Sequence, residues 1–128
     1  MAEPEVFTRK IKFEQLHFGL AALTLDLVML SKGGPVFGHG DISRSEFPPH
    51  PPAHIPQLRG HLQPTGHDGL RLLSVTGTYV ESVPPPATGM VSGPFHASCT
   101  IDADWNGQGS FYWGSWEVTD CLVSNIGT

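Results

Sequence analysis

The chain has 128 residues, of which seven are lysine or arginine and twelve are acidic, so its formal net charge is −5 with neutral histidine. Charged residues make up 15% of the chain and hydrophobic residues 39%, which predicts a single domain over residues 1–128 with one core. Every basic residue lies at or before Arg71, and no stripe of lysine and arginine exists, which excludes the usual electrostatic footprint of a nucleic-acid-binding protein.

The N-terminal residues 1–5 are acidic and lack the apolar core of a secretory signal. The apolar stretch 16–30 is too short to span a bilayer and contains the polar residues His17 and Asp26. We therefore expect a cytoplasmic protein without a membrane or nucleic-acid partner. The sequence leaves the oligomeric state open.

Apolar and polar residues alternate with a period of two in several segments, which are separated by turns rich in glycine and proline. This pattern predicts about seven strands, at residues 7–13, 16–30, 36–43, 57–63, 70–83, 90–102 and 109–123. Segment 16–30 fits one long strand or two strands that bend at Gly19. The alternative is a helix over 14–30, because its leucines also recur at helical spacing. We expect an all-β single domain, a small antiparallel β-barrel or β-sandwich of about seven to eight strands.

Asn106-Gly107 is the strongest hairpin signal of the chain, and a two-residue turn there would place Cys99 opposite Gly114. On that register Cys121 lies opposite Ser92, and the two cysteines are about 23 Å apart along the strands. Since a disulfide requires Cα atoms within about 7 Å, we expect two free thiols.

Four short motifs follow one another within residues 16–64: Leu25-Asp26-Leu27-Val28, the Val-x-Gly-x-Gly-x-Ile pattern of residues 36–42, Pro48-Pro49 and Leu58-Arg59-Gly60. In this order they resemble a bacterial family of small all-β domains of unknown function, numbered 1842. The resemblance covers under half of the chain and implies a compact β fold, and the family supplies no catalytic residues. The histidine- and proline-rich residues 50–56 and the tryptophan-rich end of the chain depart from the family pattern.

Asp102, Asp104 and Asn106 match the opening of a calcium-binding loop, in which alternate oxygens converge on one cation. The glutamate that closes such a loop is absent, since its position holds Trp113. We therefore favour a hairpin turn and expect no cofactor, with calcium as the alternative.

Five histidines, at positions 39, 50, 54, 61 and 67, lie in or near a predicted proline-rich loop over residues 47–56. None of their spacings matches a known metal-binding pattern, so a solvated loop is favoured over a metal site. His39 and Asp41 share one face of a predicted strand, where the carboxylate would orient the ring. In an enzyme, His39 with Asp41, or Glu117, would act as acid and base.

Aromatic residues concentrate near the C-terminus. In the last predicted strand, Phe111 and Trp113 lie on one face and Tyr112 and Trp116 on the other. We expect one face to join the core and the other to line a ligand cavity. Together with Trp105, the candidates for ligand contact are Phe111, Trp113 and Trp116.

These features favour a non-enzymatic binding or accessory module for a small hydrophobic or aromatic ligand. One alternative is a small β-barrel enzyme of the cyclase or isomerase type that acts on an apolar substrate, and an enclosed pocket with an inward His–Asp pair would favour it. The other alternative is a calcium-dependent carbohydrate-binding module, which would use Asp102, Asp104, Asn106 and Trp105.

Overall fold

A computed structural model of the chain describes residues 6–15, 21–30, 34–44, 52–67, 69–83 and 89–127. These residues form eight antiparallel strands, each paired with the next in sequence, and the last strand pairs with the first to close one barrel. The strands are β1 (Val6–Gln15), β2 (Ala21–Leu30), β3 (Gly34–Arg44), β4 (Ala53–Pro64), β5 (Arg71–Ser82), β6 (Met90–Ile101), β7 (Gly107–Trp113) and β8 (Trp116–Gly127). The predicted all-β barrel is confirmed, and closure excludes the sandwich.

Residues 21–30 form strand β2, so the helical alternative is wrong for this part of the segment. The predicted bend at Gly19 lies outside the described residues. The inward residues of β2 are all buried: Leu23, Leu25, Leu27 and Met29. The leucines are therefore buried at every second position, as in a strand, although their spacing also fits a helix. No helix that could span a membrane is found in the described ranges.

The core of the barrel consists of inward-facing apolar side chains from all eight strands. Its largest fully buried members are aromatic: Trp113, Phe13, Phe95 and Phe111. Phe13 and Phe111 meet edge to face, with 5.9 Å between their ring centroids. Full burial of a large apolar side chain contributes about 1.5–3 kcal/mol, so each of these four rings adds substantially to stability.

Strand β4 begins earlier than predicted, so His54 and Pro56 belong to a strand and not to a loop. The register of β4 against β5 shifts between His54 and Leu58. Such a bulge suits Pro56, because proline has no N–H to donate to the ladder. Residues 47–51 of the predicted loop, which include His50, lie outside the described ranges.

The prediction of one strand over residues 109–123 is wrong, because the chain reverses within it. Gly114 and Ser115 form the turn, and Trp113 pairs directly with Trp116. Gly114 has a φ of 60°, and a glycine at the first central position is what a type II′ hairpin turn requires. The reversal places Trp116 on the same face as Trp113, which corrects the predicted division of the aromatic residues.

The hairpin between β6 and β7 also differs from its prediction. Residues 102–106 connect the two strands, so Asn106-Gly107 is not the centre of a two-residue turn. Backbone N–H groups of this connection donate to the carboxylate of Asp102, which stabilises a longer loop. Within it, Trp105 adopts a left-handed backbone with a φ of 67°.

Both cysteines flank Gly109: Cys99 on β6 and Cys121 on β8 each pair with it. The predicted partners, Gly114 and Ser92, are therefore wrong. Two strand spacings separate the cysteine Cα atoms by about 10 Å, which is still too far for a disulfide. Both cysteines are buried free thiols, so that expectation is confirmed for a different geometric reason.

The loop 102–106 covers one end of the barrel, which we call the closed end. Its Trp105 is 2% exposed and packs edge-on against Phe7, with 6.4 Å between ring centroids. The guanidinium of Arg71 lies 4.9 Å from the centroid of the Trp105 ring, and its Nη2 donates to the backbone oxygen of Asp102 at 3.2 Å. A ring from the loop therefore covers the core at this end.

Candidate ligand-binding site at the barrel mouth

Four inward-facing side chains meet at the end of the barrel opposite Trp105, and we call this set the mouth: Arg44, Glu81, Trp113 and Trp116. The first two lie near the ends of β3 and β5, whereas the tryptophans flank the β7–β8 turn. Ile42 and Tyr79, two residues before Arg44 and Glu81, are buried in the core. Period-two alternation therefore turns the two charged side chains inward.

A column of aromatic rings runs from the core to the mouth. Phe111 stacks on Trp113 with 5.7 Å between centroids and 19° between planes, and Trp113 stacks on Trp116 with 6.1 Å and 16°. Trp113 is 1% exposed, whereas Trp116 is 52% exposed. A large apolar ring is therefore presented to solvent on top of the buried core.

An ion pair lies beside these rings. Arg44 Nη2 donates to Glu81 Oε1 at 2.8 Å, and the two side chains are only 7% and 17% exposed. The Arg44 guanidinium also lies 5.1 Å from the Trp116 centroid and 5.8 Å from that of Trp113, within the range of cation–π attraction. Removal of the Arg44 charge would leave the Glu81 carboxylate desolvated without the guanidinium that it binds.

The mouth contains a buried polar atom that has no hydrogen-bond partner among the described residues. This atom is Trp113 Nε1, which is buried with the rest of its ring. A buried donor without an acceptor costs about 1–3 kcal/mol. Such a donor is a natural position for an acceptor that a ligand supplies.

Sequence reasoning identified both tryptophans of the mouth but missed Arg44 and Glu81. A usable signal exists, since each charged residue continues an apolar inward face: Ile42 precedes Arg44 and Tyr79 precedes Glu81 by two positions. A charge at a core position near the end of a strand indicates either a partner or a site.

The candidate acid–base residues lie elsewhere. His39 and Asp41 point outward from β3, and each pairs with a different residue. His39 Nδ1 is 3.8 Å from Asp26 Oδ2, while His54 Nδ1 is 2.6 Å from Asp41 Oδ1. All four side chains are exposed to solvent by a third or more. They form a cross-strand row on the outer wall and do not face the core.

Glu117 is separate from this row. It is exposed on β8, opposite Tyr112 of β7. The structure therefore does not bring Glu117 together with His39 and Asp41, and their catalytic role stays a prediction.

The predicted calcium ligands lie in the loop of the closed end. Asp102 Oδ1 accepts hydrogen bonds from the backbone N–H groups of Asp104 and Asn106, at 2.8 and 3.1 Å. Asn106 Oδ1 accepts from the backbone N–H of Asn125 at 3.0 Å. Two of the oxygens proposed for calcium thus already accept protein donors. No cluster of three or more His, Cys, Asp or Glu residues suited to a metal occurs in the part of the chain that the structure describes.

The outer wall also carries clefts that open to solvent. One of about 530 Å³ lies over Gly60, between β3, β4 and β5, and is bordered by Phe37, Arg59 and His61. Phe37 supplies its aromatic surface, whereas the mouth combines two stacked tryptophans with a buried ion pair. The mouth is therefore the stronger candidate site.

Comparison of the chain with protein-family models, curated proteins and solved structures finds no match. The resemblance of residues 16–64 to the small all-β family stays a prediction.

Proposed function

We propose that the protein is a non-enzymatic binding module that takes a small hydrophobic or aromatic ligand at its mouth. The observation that carries this proposal is the exposed Trp116 ring stacked on the buried Trp113 ring. Ring stacking contributes about 0.5–1.5 kcal/mol beyond the area that it buries, so a planar ligand gains on both counts at Trp116.

The contrast between the two ends of the barrel supports the same proposal. At the closed end, Trp105 is buried against Phe7 and Arg71, so its ring offers no face to a ligand. Trp116 is also held by an arginine, yet half of it stays exposed. Trp105 is thus better suited to a structural role, and the ligand contacts are proposed for the mouth.

No observation in the described residues favours the other two functions. The enzyme would require an inward acid–base pair, and His39 and Asp41 face outward. The calcium-dependent carbohydrate-binding module would require free oxygens at Asp102 and Asn106, which accept protein hydrogen bonds.

Titration with N-phenylnaphthylamine, an uncharged apolar dye that fluoresces when it leaves water, tests the proposal. We expect the Trp116→Ala variant to bind the dye at least about tenfold more weakly, which is the loss of about 1.4 kcal/mol of stacking and burial. Tyr112→Ala is the matched control, because it removes an exposed aromatic ring from the outer wall of β7. Equal affinity of the two variants, or absence of dye binding to the unmodified protein, would contradict the proposal.

A further inference from the structure

On the basis of the proposed function, we infer that the ligand is an uncharged planar ring compound with a hydrogen-bond acceptor, such as a carbonyl oxygen or ring nitrogen. Two observations of the mouth lead to this class. The buried charges of Arg44 and Glu81 compensate each other, and the Trp113 N–H has no acceptor among the described residues.

The ion pair disfavours a charged ligand of either sign. An anion would have to compete with Glu81 for the Arg44 guanidinium, at a site where Glu81 is held at 2.8 Å. The net charge of −5 opposes its approach as well. A cation would meet Arg44 at short range and would have to displace it from Glu81. Because both side chains are largely buried, a third charge there is poorly screened by water.

An uncharged acceptor meets neither obstacle. Its oxygen or nitrogen would accept the hydrogen bond that Trp113 Nε1 does not make within the described residues, and the Arg44–Glu81 pair would stay intact. The ring of such a compound would stack on Trp116. Because Trp113 Nε1 is buried, the half-exposed Trp116 ring has to shift to admit the acceptor, and the ring of the ligand replaces the contact area that this shift removes.

Three compounds that share one ring separate these cases: naphthalene carboxamide, naphthoate and naphthylmethylamine, which are neutral, anionic and cationic at neutral pH. We expect calorimetric titration of the whole protein to show the carboxamide binding at least about tenfold more tightly than either charged compound. Naphthoate or naphthylmethylamine binding as tightly as the carboxamide would overturn the inference but leave the proposed function intact. Failure of all three to bind would overturn both.

The hydrogen bond is tested by Trp113→Phe, which keeps a buried ring and removes the N–H. We expect the affinity for naphthalene carboxamide to fall about fivefold and the affinity for methylnaphthalene, which has no acceptor, to stay unchanged.

The NMR signal of the Trp113 indole proton provides a test that does not depend on the folding of a variant. It should shift downfield with the carboxamide and not with methylnaphthalene, and an equal response to both would overturn the role of this N–H.

Discussion

Arg44 places a positive charge in a part of the barrel that is otherwise lined by aromatic rings. Its guanidinium is held by Glu81 at 2.8 Å and covers the faces of two tryptophans. A buried pair of this kind gains strong attraction at the expense of hydration, so its net effect on stability is small while it is intact. Loss of Arg44 is costly, because the Glu81 carboxylate then stays desolvated without its partner.

We therefore expect Arg44→Ala to lower the free energy of unfolding by about 3–5 kcal/mol, measured by urea denaturation. The exposed pair Lys12–Glu14 is the control, with side chains 38% and 55% exposed at 3.4 Å. Glu14→Ala should cost less than about 1 kcal/mol. The double variant Arg44→Met/Glu81→Leu should recover most of the loss, and a double variant as unstable as Arg44→Ala would contradict this account.

Burial shifts the pKa values of the two cysteine thiols. Desolvation raises the pKa of Cys99 to about 12, and desolvation together with the neighbouring Asp120 raises that of Cys121 to about 11. A raised pKa in the folded state favours the neutral thiol. This contribution to stability is complete below about pH 9 and is lost as the pH rises through about 11 and 12.

The raised pKa values predict that both thiols react slowly with thiol reagents in the native protein. For Cys99, a pKa of about 12 in place of 9.0 leaves about a thousandfold less thiolate near pH 8. We expect dithionitrobenzoate to react with both thiols rapidly in urea and very slowly in the native state. The Cys121→Ala variant reports on Cys99 alone, and rapid native reaction of that variant would show that Cys99 is not buried as described.

At the scale of elements, the β7–β8 turn depends on a glycine for two reasons. Gly114 has a φ of 60°, which side-chain-bearing residues adopt at a cost of about 1–2 kcal/mol. A Cβ there would also lie 2.7 Å from the hydroxyl oxygen of Tyr79, which is packed in the core. The turn and the core below it are thus coupled through one position.

Gly114→Ala should therefore destabilise the protein more than a glycine-to-alanine substitution at a position that has a positive φ but no close contact. Gly66→Ala is the matched control, since Gly66 has a φ of 84° and a Cβ added there would meet no atom within 4 Å. We expect a loss of about 1–2 kcal/mol at Gly66 and a larger one at Gly114, measured from denaturation midpoints. Equal losses would show that Tyr79 moves aside without cost.

The strands were predictable from the sequence, but two connections and part of the site were not. Alternation predicted β2 and β5 well, because one face of each is buried. It failed at Gly114-Ser115, because aromatic residues typical of strands lie on both sides of this dipeptide. At Asn106-Gly107, the acceptor side chain of Asp102 stabilises a longer loop than the dipeptide alone predicts.

The residues of the mouth were also predictable only in part. Trp113 and Trp116 were predicted as ligand contacts from their aromatic character, and that role stays a prediction. Arg44 and Glu81 were missed, because their meeting depends on the registers in which β3 and β5 each pair with β4. The alternation of apolar and polar residues within one strand does not specify its register against another strand.

For the whole molecule, the barrel has two unlike ends. Trp105 covers the core at the closed end, while the mouth presents a half-exposed ring and a compensated ion pair. The proposed function depends on this difference in exposure between the Trp105 and Trp116 rings.

The pairing of β1 with β8 has a consequence for synthesis on the ribosome. Lys10 and Gly127 are neighbours in the closed barrel, although almost the whole chain separates them. One edge of β1 therefore has no strand to join until β8 has emerged from the exit tunnel. Such a long-range closure slows folding, and the waiting edge is open to pairing with other nascent chains. The first strand carries Arg9, Lys10 and Lys12, and repulsion between these charges on different copies would help to keep nascent chains apart.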